Sequence, residues 1–395
     1  MYITDDIRYI GVNDHDIDLF EGQYIVPNGM AYNSYLILDE NIAVMDTVDI
    51  RKADAYFANL EAALEGRTPD YLIVSHVEPD HASSVKRFTE KYPTAKVVGN
   101  AKTIQFLANY FDLSGTEFVT VKDGDSLDLG ARQLHFILAP MVHWPEVMMT
   151  YEEVEKVLFS ADAFGKFGAL DVEEDWDCEA RRYYFNIVGK FGVQVQSVLK
   201  KAAALEINTI CPLHGPILTD TIPHVLELYN TWSSYGVESE GVFIAYASIY
   251  GNTRNAATQL KELLEARGCP KVAITDLARE DMAEALEDAF RYGKVVLAAS
   301  SYNGGVMPFM EDFLHHLKAK NYQKRTIGLI ENGTWAPSAA KTMLKLLEEA
   351  KNLTYANMEK HIKAYDNAEE LLEVFETVKA LSQTVASPYK FVSDW

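Results

Sequence analysis

Cysteine is scarce in this chain: there are three in 395 residues (Cys178, Cys211 and Cys269), none spaced as C-x-x-C. That excludes a disulfide scaffold, a zinc ribbon and a rubredoxin-type iron centre, and it suits a reducing compartment. Long apolar runs are missing as well; nothing approaches the ~18–20 residues of a membrane span. The opening Met1-Tyr2-Ile3-Thr4-Asp5-Asp6 is acidic and lacks the basic-then-apolar shape of a signal peptide. The expectation is a cytoplasmic protein with no membrane attachment. Positive charge is in deficit: 36 Lys+Arg face 58 Asp+Glu, a net charge of −22. A nucleic-acid partner requires a basic face and an anionic membrane surface repels an acidic one, so neither is expected.

What is present describes a folded chain, 48% hydrophobic and 11% aromatic. Single cores stop growing near roughly 250–300 residues, so this length predicts two domains. Charge divides unevenly between them. Residues 241–395 hold 18 Lys+Arg and 20 Asp+Glu, which leaves a net −20 on residues 1–240. The change falls at the loop-like Ser233-Ser234-Tyr235-Gly236 and Glu238-Ser239-Glu240-Gly241, and the boundary is placed there: 1–240 and 241–395. There is no internal repeat and no low-complexity segment.

The first part mixes short strands with helices. Segments 34–38 and 42–45 read as a hairpin around Asp39-Glu40-Asn41, 51–66 as a helix, and Tyr71-Leu72-Ile73-Val74 as a buried strand. Further strands are expected at 96–98, 133–138 and 157–160, which together predict a layered αββα sandwich, an α+β arrangement. The second part alternates cleanly. Strands at 242–247, 271–274, 295–299 and 326–330 are separated by helices near 253–267, 281–292 and 308–319. Helices over 338–351 and 367–382 follow. Such alternation predicts an α/β doubly wound parallel sheet.

The densest chemistry lies after the strand at 71–74, in His76-Val77-Glu78-Pro79-Asp80-His81. Four potential ligands within six residues, on a loop, converge only if the backbone curls around a metal. His143, Asp162 and His214 each sit at or just beyond the end of an apolar strand, where side chains reach one rim. Together these seven make three carboxylates and four imidazoles. Against two divalent ions the set carries one residual positive charge, which a bridging hydroxide would cancel. Carboxylate-rich nitrogen/oxygen ligation of a metal pair suits iron or manganese better than zinc, although affinity alone favours zinc over iron.

The second part opens on a strand followed by Ser248-Ile249-Tyr250-Gly251-Asn252-Thr253 and a helix. Hydroxyl, glycine and amide residues at a helix N-terminus make an anion site. No G-x-G-x-x-G is present, so a mononucleotide is favoured over a dinucleotide. Two more loops follow later strands: Ser300-Ser301-Tyr302-Asn303-Gly304-Gly305, and Asn332-Gly333-Thr334-Trp335 after Glu331. Both lie at carboxyl ends of parallel strands, and each pairs an aromatic with glycine, as a flat tricyclic ring requires. This arrangement resembles a flavodoxin, whose ligand is FMN.

The loop containing His76 resembles the H-x-H-x-D-H signature of the metallo-β-lactamase superfamily, with Glu78 where the second histidine belongs. A metallo-β-lactamase-like domain with that glutamate, joined to a flavodoxin-like domain, resembles the flavodiiron proteins over nearly the whole chain; Trp144-Pro145 after His143 adds to the likeness. The resemblance implies two non-haem iron ions and FMN, and reduction of dioxygen to water or of nitric oxide to nitrous oxide. Carried over position by position, one iron takes His76, Glu78 and His143, the other Asp80, His81 and His214, and Asp162 bridges them. Tyr183 or Tyr184 resembles a tyrosine stretch lining the family's pocket, and Glu21 stands where many members carry a histidine. The resemblance also implies a head-to-tail homodimer or a dimer of dimers. No rubredoxin or flavin reductase module is expected after the last helix, so a separate electron donor such as rubredoxin or a reduced deazaflavin is implied. Two competing readings are a two-metal zinc hydrolase with an accessory flavodoxin domain, and a non-catalytic flavin electron carrier. Glu78 argues against the first and the full ligand set against the second.

Overall fold

The computed structural model describes residues 2–333, 337–356 and 389–391. It divides into two compact units, Met1–Asn230 and Thr231–Trp395.

In the first unit two sheets face each other. One runs in the order Ile7–Tyr9, Tyr35–Ile37, Ala43–Met45, Tyr71–Ile73, Lys96–Gly99, Phe118–Thr120. The other runs Ser126–Asp128, Gln133–Leu138, Met148–Glu152, Val157–Phe159, Thr209–Cys211. The expected hairpin forms, with Leu36 opposite Val44 in antiparallel register. Parallel pairing then carries the first sheet outward from Ala43–Met45. Inner-face residues of both sheets share one core: Tyr35, Met45, Ile73 and Val98 pack with Leu134, Phe136, Met148 and Phe159. The expected helix at 51–66 is Ala53–Leu64; it buries Ala53, Tyr56, Phe57, Leu60 and Leu64, one stripe at helical spacing. Its end is set by Glu65 at φ 52° and Gly66 at φ 87°, the left-handed conformation that stops a helix.

The second unit carries a sheet ordered Val272–Asp276, Ser239–Ala247, Tyr292–Tyr302, Thr326–Asn332, Thr354–Tyr355, all parallel along this path. In order of the chain this is 2-1-3-4-5, the doubly wound order whose switch point lies between the first and third strands. Helices Asn252–Ala266, Met282–Arg291 and Pro308–Ala319 form close to their expected positions. The fourth is shorter than expected: it covers Ala339–Leu346, not 338–351. Tertiary pairing overrides the apolar pattern there. Lys324 N–H donates to the Lys351 carbonyl at 3.1 Å, and Thr354–Tyr355 becomes an edge strand that the sequence reading missed. A further strand, Tyr389–Phe391, pairs antiparallel with Thr326–Asn332. The helix expected at 367–382 lies outside the described residues.

Candidate metal centre and flavin cradle

Every candidate metal ligand follows a strand of the first unit. The loop after Tyr71–Ile73 is not wholly irregular, as expected from the sequence, because Pro79–Ala82 makes one helical turn with proline at its start. Proline's fixed φ suits that position, and it holds the preceding Glu78 extended, at φ −57° and ψ 140°. The change of conformation aims His76 and Glu78 one way and Asp80 and His81 another. The backbone of this loop is pinned from behind. The carboxylate of buried Asp46 accepts the Ser75 N–H at 2.7 Å and the His76 N–H at 3.3 Å. Burial raises the Asp46 carboxyl to about 6 against the pull of those donors.

His143 follows Gln133–Leu138, Asp162 follows Val157–Phe159, and His214 follows Thr209–Cys211. Asp162 sits in a tight turn: Ala161 has φ 51°, and Ser160 Oγ donates to the Ala163 carbonyl at 2.7 Å. Leu213 N–H donates to the Ala161 carbonyl at 2.8 Å, which sets the His214 loop against the Asp162 turn.

The seven side chains gather in two groups. Glu78 Oε2 lies 3.1 Å from His76 Nε2 and 3.0 Å from His143 Nε2, and Asp162 Oδ2 lies 3.0 Å from His143 Nε2. In the other group Asp80 Oδ2 lies 3.3 Å from His81 Nε2 and 3.2 Å from His214 Nε2. Asp162 belongs to both, because its Oδ1 is 3.2 Å from His81 Nε2 while its Oδ2 faces His143. Asp162, His76, His81 and His214 are each no more than 1% exposed.

Electrostatics describe a hole for cations. Burial alone would lower the His76 and His143 pKa values, yet neighbouring carboxylates overcome it: Asp162, Glu146 and Glu78 carry His76 well above its ordinary value, and Asp162 and Glu78 raise His143 to about 9. Burial opposes ionisation of Asp162, yet His76, His143 and His81 hold it well below the usual carboxylate range. Both oxygens of Asp80, one oxygen of Asp162 and the Nδ1 of His81 are buried with no hydrogen-bond partner among the described residues. Buried carboxylates converging with oxygens left short of hydrogen bonds are costly unless a cation joins them, and this donor set fits a pair of metal ions.

Aromatic rings wall the His214 side. Its ring meets Phe20 at 5.4 Å, Tyr183 at 5.6 Å and Tyr32 at 6.1 Å between centroids. Tyr183 ends the helix Trp176–Tyr183, which continues as a π-helical turn over Tyr184–Val188. Of the two tyrosines singled out from the sequence, Tyr183 is the one at the cluster. Its hydroxyl is fully buried with no hydrogen-bond partner among the described residues; its pKa rises through burial first, then through the charges of Asp162, Asp80 and Glu78. The Tyr184 ring packs on Phe185 and Tyr229, each at 5.1 Å. Glu21 reaches the same neighbourhood. The residue is exposed by area, yet desolvation beside the cluster, followed by the Glu78 charge, raises its carboxyl to about 7. Sequence reasoning missed Glu146 and Asp46, the carboxylates behind the ligand loop. Proximity of Glu146 to the Trp144-Pro145 pair was the only available signal.

In the second unit the loops singled out from the sequence meet at the switch point. Thr253 Oγ1 and Ser300 Oγ are 2.9 Å apart, and Asn332 Nδ2 lies 3.4 Å from Thr253 Oγ1. Ser248 Oγ accepts the Gly251 N–H at 3.1 Å, and Gly251, at φ 88°, starts the helix Asn252–Ala266. Ser301 Oγ accepts the Ser338 and Ala339 N–H groups at 2.9 and 3.2 Å. Asn303 and Gly304, at φ 48° and 77°, form the two-residue turn that folds Tyr302 back against Gly305. Tyr250 is 93% exposed and Tyr302 47%, so flat rings stand at the rim of a polar floor. That combination fits a flavin mononucleotide. Thr334 and Trp335 lie outside the described residues.

Fold and site together define a metallo-β-lactamase-like unit joined to a flavodoxin-like unit. Residues 30–215 match the model of the ODP family beta lactamase, and residues 243–376 match that of a flavodoxin domain. An uncharacterized protein of Methanocaldococcus jannaschii is 31% identical over 321 residues, covering 80% of this chain and 81% of that protein. The anaerobic nitric oxide reductase flavorubredoxin of Vibrio vulnificus is 27% identical over 363 residues, covering 89% of this chain and 73% of that one. The crystal structure of the flavodiiron protein from Giardia intestinalis matches with a TM-score of 0.84 at 24% identity, over 96% of this chain and 97% of that one. This chain belongs to the flavodiiron protein family. Among the described residues no helix is long and apolar enough to cross a membrane.

Proposed function

We propose that this chain is an oxidoreductase that reduces dioxygen to water, nitric oxide to nitrous oxide, or both. In this reading His76, Glu78 and His143 would hold one iron ion, Asp80, His81 and His214 would hold a second, and Asp162 would serve both. The observation that carries it is Asp162, whose two oxygens face the two ligand groups at 3.0 and 3.2 Å. FMN would lie on Ser248–Thr253, Ser300–Gly305 and Asn332–Gly333, with Thr334 and Trp335 as the remaining candidates from the sequence. When bound, two iron ions and one FMN supply up to four electrons, the number one dioxygen needs; two nitric oxides need two.

The chain's own residues set the conditions. Glu78, Asp80 and Asp162 offset the cationic charge of the pair, which keeps a neutral diatomic from competing with external anions. Phe20, Tyr32 and Tyr183 limit water on the His214 side. The orphan Tyr183 hydroxyl is available to donate a hydrogen bond into the pocket, and Glu21, its carboxyl raised to about 7, can hold a proton beside Glu78. Electrons come from a separate donor such as rubredoxin or a reduced deazaflavin, and a head-to-tail dimer is part of the same reading.

Anaerobic reduction of the full chain, followed by mixing with each gas in turn, tests this. The expected result is two irons and one FMN per chain, and rapid reoxidation in proportion to gas consumed. Slow, non-stoichiometric reoxidation would point to an electron carrier, and zinc with thioesterase activity to a hydrolase.

A further inference from the structure

The imidazoles of the cluster do not have the same support behind them. His76 Nδ1 lies 2.8 Å from Glu146 Oε1. His214 Nδ1 lies 2.7 Å from the backbone carbonyl of Ala31. His81 Nδ1 is buried without a hydrogen-bond partner among the described residues. Of these three rings, one is backed by an anion, one by a neutral dipole and one by nothing among the described residues.

Glu146 is 1% exposed and is built to stay in place. Its Oε1 also accepts the Val77 N–H at 3.0 Å, so it grips the ligand loop at two points. Its backbone carbonyl accepts Asn100 Nδ2 at 2.5 Å. The second oxygen, Oε2, is buried with no hydrogen-bond partner among the described residues, so His76 is the one side chain hydrogen-bonded to this carboxylate there. An ionised carboxylate only accepts hydrogen bonds, so when a cation displaces the Nε2 proton of His76 the other proton stays on Nδ1, and Nε2 ligates beside Glu78 and Asp162. A carboxylate behind an imidazole also makes that lone pair a stronger donor than a carbonyl does.

We propose that Glu146 is a positioning residue that makes the two metal positions unequal: the His76–Glu78–His143 position binds a divalent cation more tightly than the Asp80–His81–His214 position. This rests on the two-metal reading above and adds a ranking which that reading does not contain.

The test is titration of the metal-free full-length protein with cobalt(II), followed by ligand-field absorption, which needs no turnover. Wild type should fill in two resolved steps, and His214→Ala should remove the weaker one. Glu146→Gln keeps an acceptor of the same size without the charge; Glu146→Leu removes both. The tighter step should weaken by about 10–100-fold in Glu146→Leu and by less in Glu146→Gln, with the weaker step unmoved. Nitrogen-15 NMR of His76 should report an Nδ1–H ring in wild type and Glu146→Gln. Equal steps in wild type, equal weakening of both steps, or an unmoved tighter step in Glu146→Gln overturns the proposal, and the last holds even if Glu146→Leu does not fold. Binding of fewer than two cobalt ions by wild type defeats the two-metal reading itself, a result distinct from two equal sites.

Discussion

The two units solve opposite problems. In the first, charged side chains are drawn fully inside: Asp162 is 1% exposed and His76, His81 and His214 are 0%. Such a site needs supports behind its ligands, as Asp46 provides for the loop and Glu146 for His76. In the second, a polar floor of Thr253, Ser300 and Asn332 lies under the exposed Tyr250 and Tyr302. Its loops are placed by strand ends and close through neutral hydrogen bonds. The difference teaches that damage should stay within a unit, and that the buried site should tolerate far less of it.

The sharpest way to break that contrast is Asp162→Ala. Because its oxygens face both ligand groups, iron per chain should fall from two to one or none and turnover should drop by more than the ~10²-fold that loss of a mere supporting group can cost, with FMN retained. Metal analysis and flavin absorbance check it; two irons with full turnover would refute the shared-ligand role. Next is Tyr183→Phe. Removing the orphan hydroxyl should cost about 10²-fold in turnover if it donates to the bound gas. The same change relieves a buried unpaired group, so unfolding free energy should rise by about 1 kcal/mol while metals and flavin stay. A smaller effect is expected from Thr253→Val, which breaks the contact to Ser300: FMN should bind roughly tenfold more weakly, about 1.4 kcal/mol, with iron content unchanged. Loss of iron in that variant would show that the units are not independent. The smallest is Gly304→Ala. A Cβ there meets open space, but φ 77° penalises any L side chain, so about 1 kcal/mol should be lost in thermal unfolding with iron content unchanged.

Much of this was legible in the residue order. The hairpin around Asp39-Glu40-Asn41 and the alternation after Ser239 announce themselves by local periodicity, and six consecutive residues from His76 to His81 concentrate the ligand chemistry. What was illegible depends on partners far away. Glu146 meets His76 across 70 positions, and apart from the neighbouring Trp144-Pro145 pair nothing sets it apart from a surface acid. Asp46 matters because its backbone sits at φ 57° with its carboxylate turned inward, a conformation no local pattern signals. The helix from Ala339 ends early because Lys351 is claimed by Lys324, which leucine and alanine spacing cannot foresee. Even the turn at Pro79–Ala82 was too brief for periodicity to reveal.

One feature of the first unit reaches beyond its chemistry. The segment from His76 to His81 leaves one sheet, whereas His143, Asp162 and His214 leave the other. A cation seated among them is a rivet through both layers, resisting any sliding of one over the other. Amide protons at the facing strand ends, those of Val74 and Ser160 for instance, should therefore exchange with deuterated solvent sooner once the rivet is pulled, while those at the opposite margin of the sandwich keep their pace.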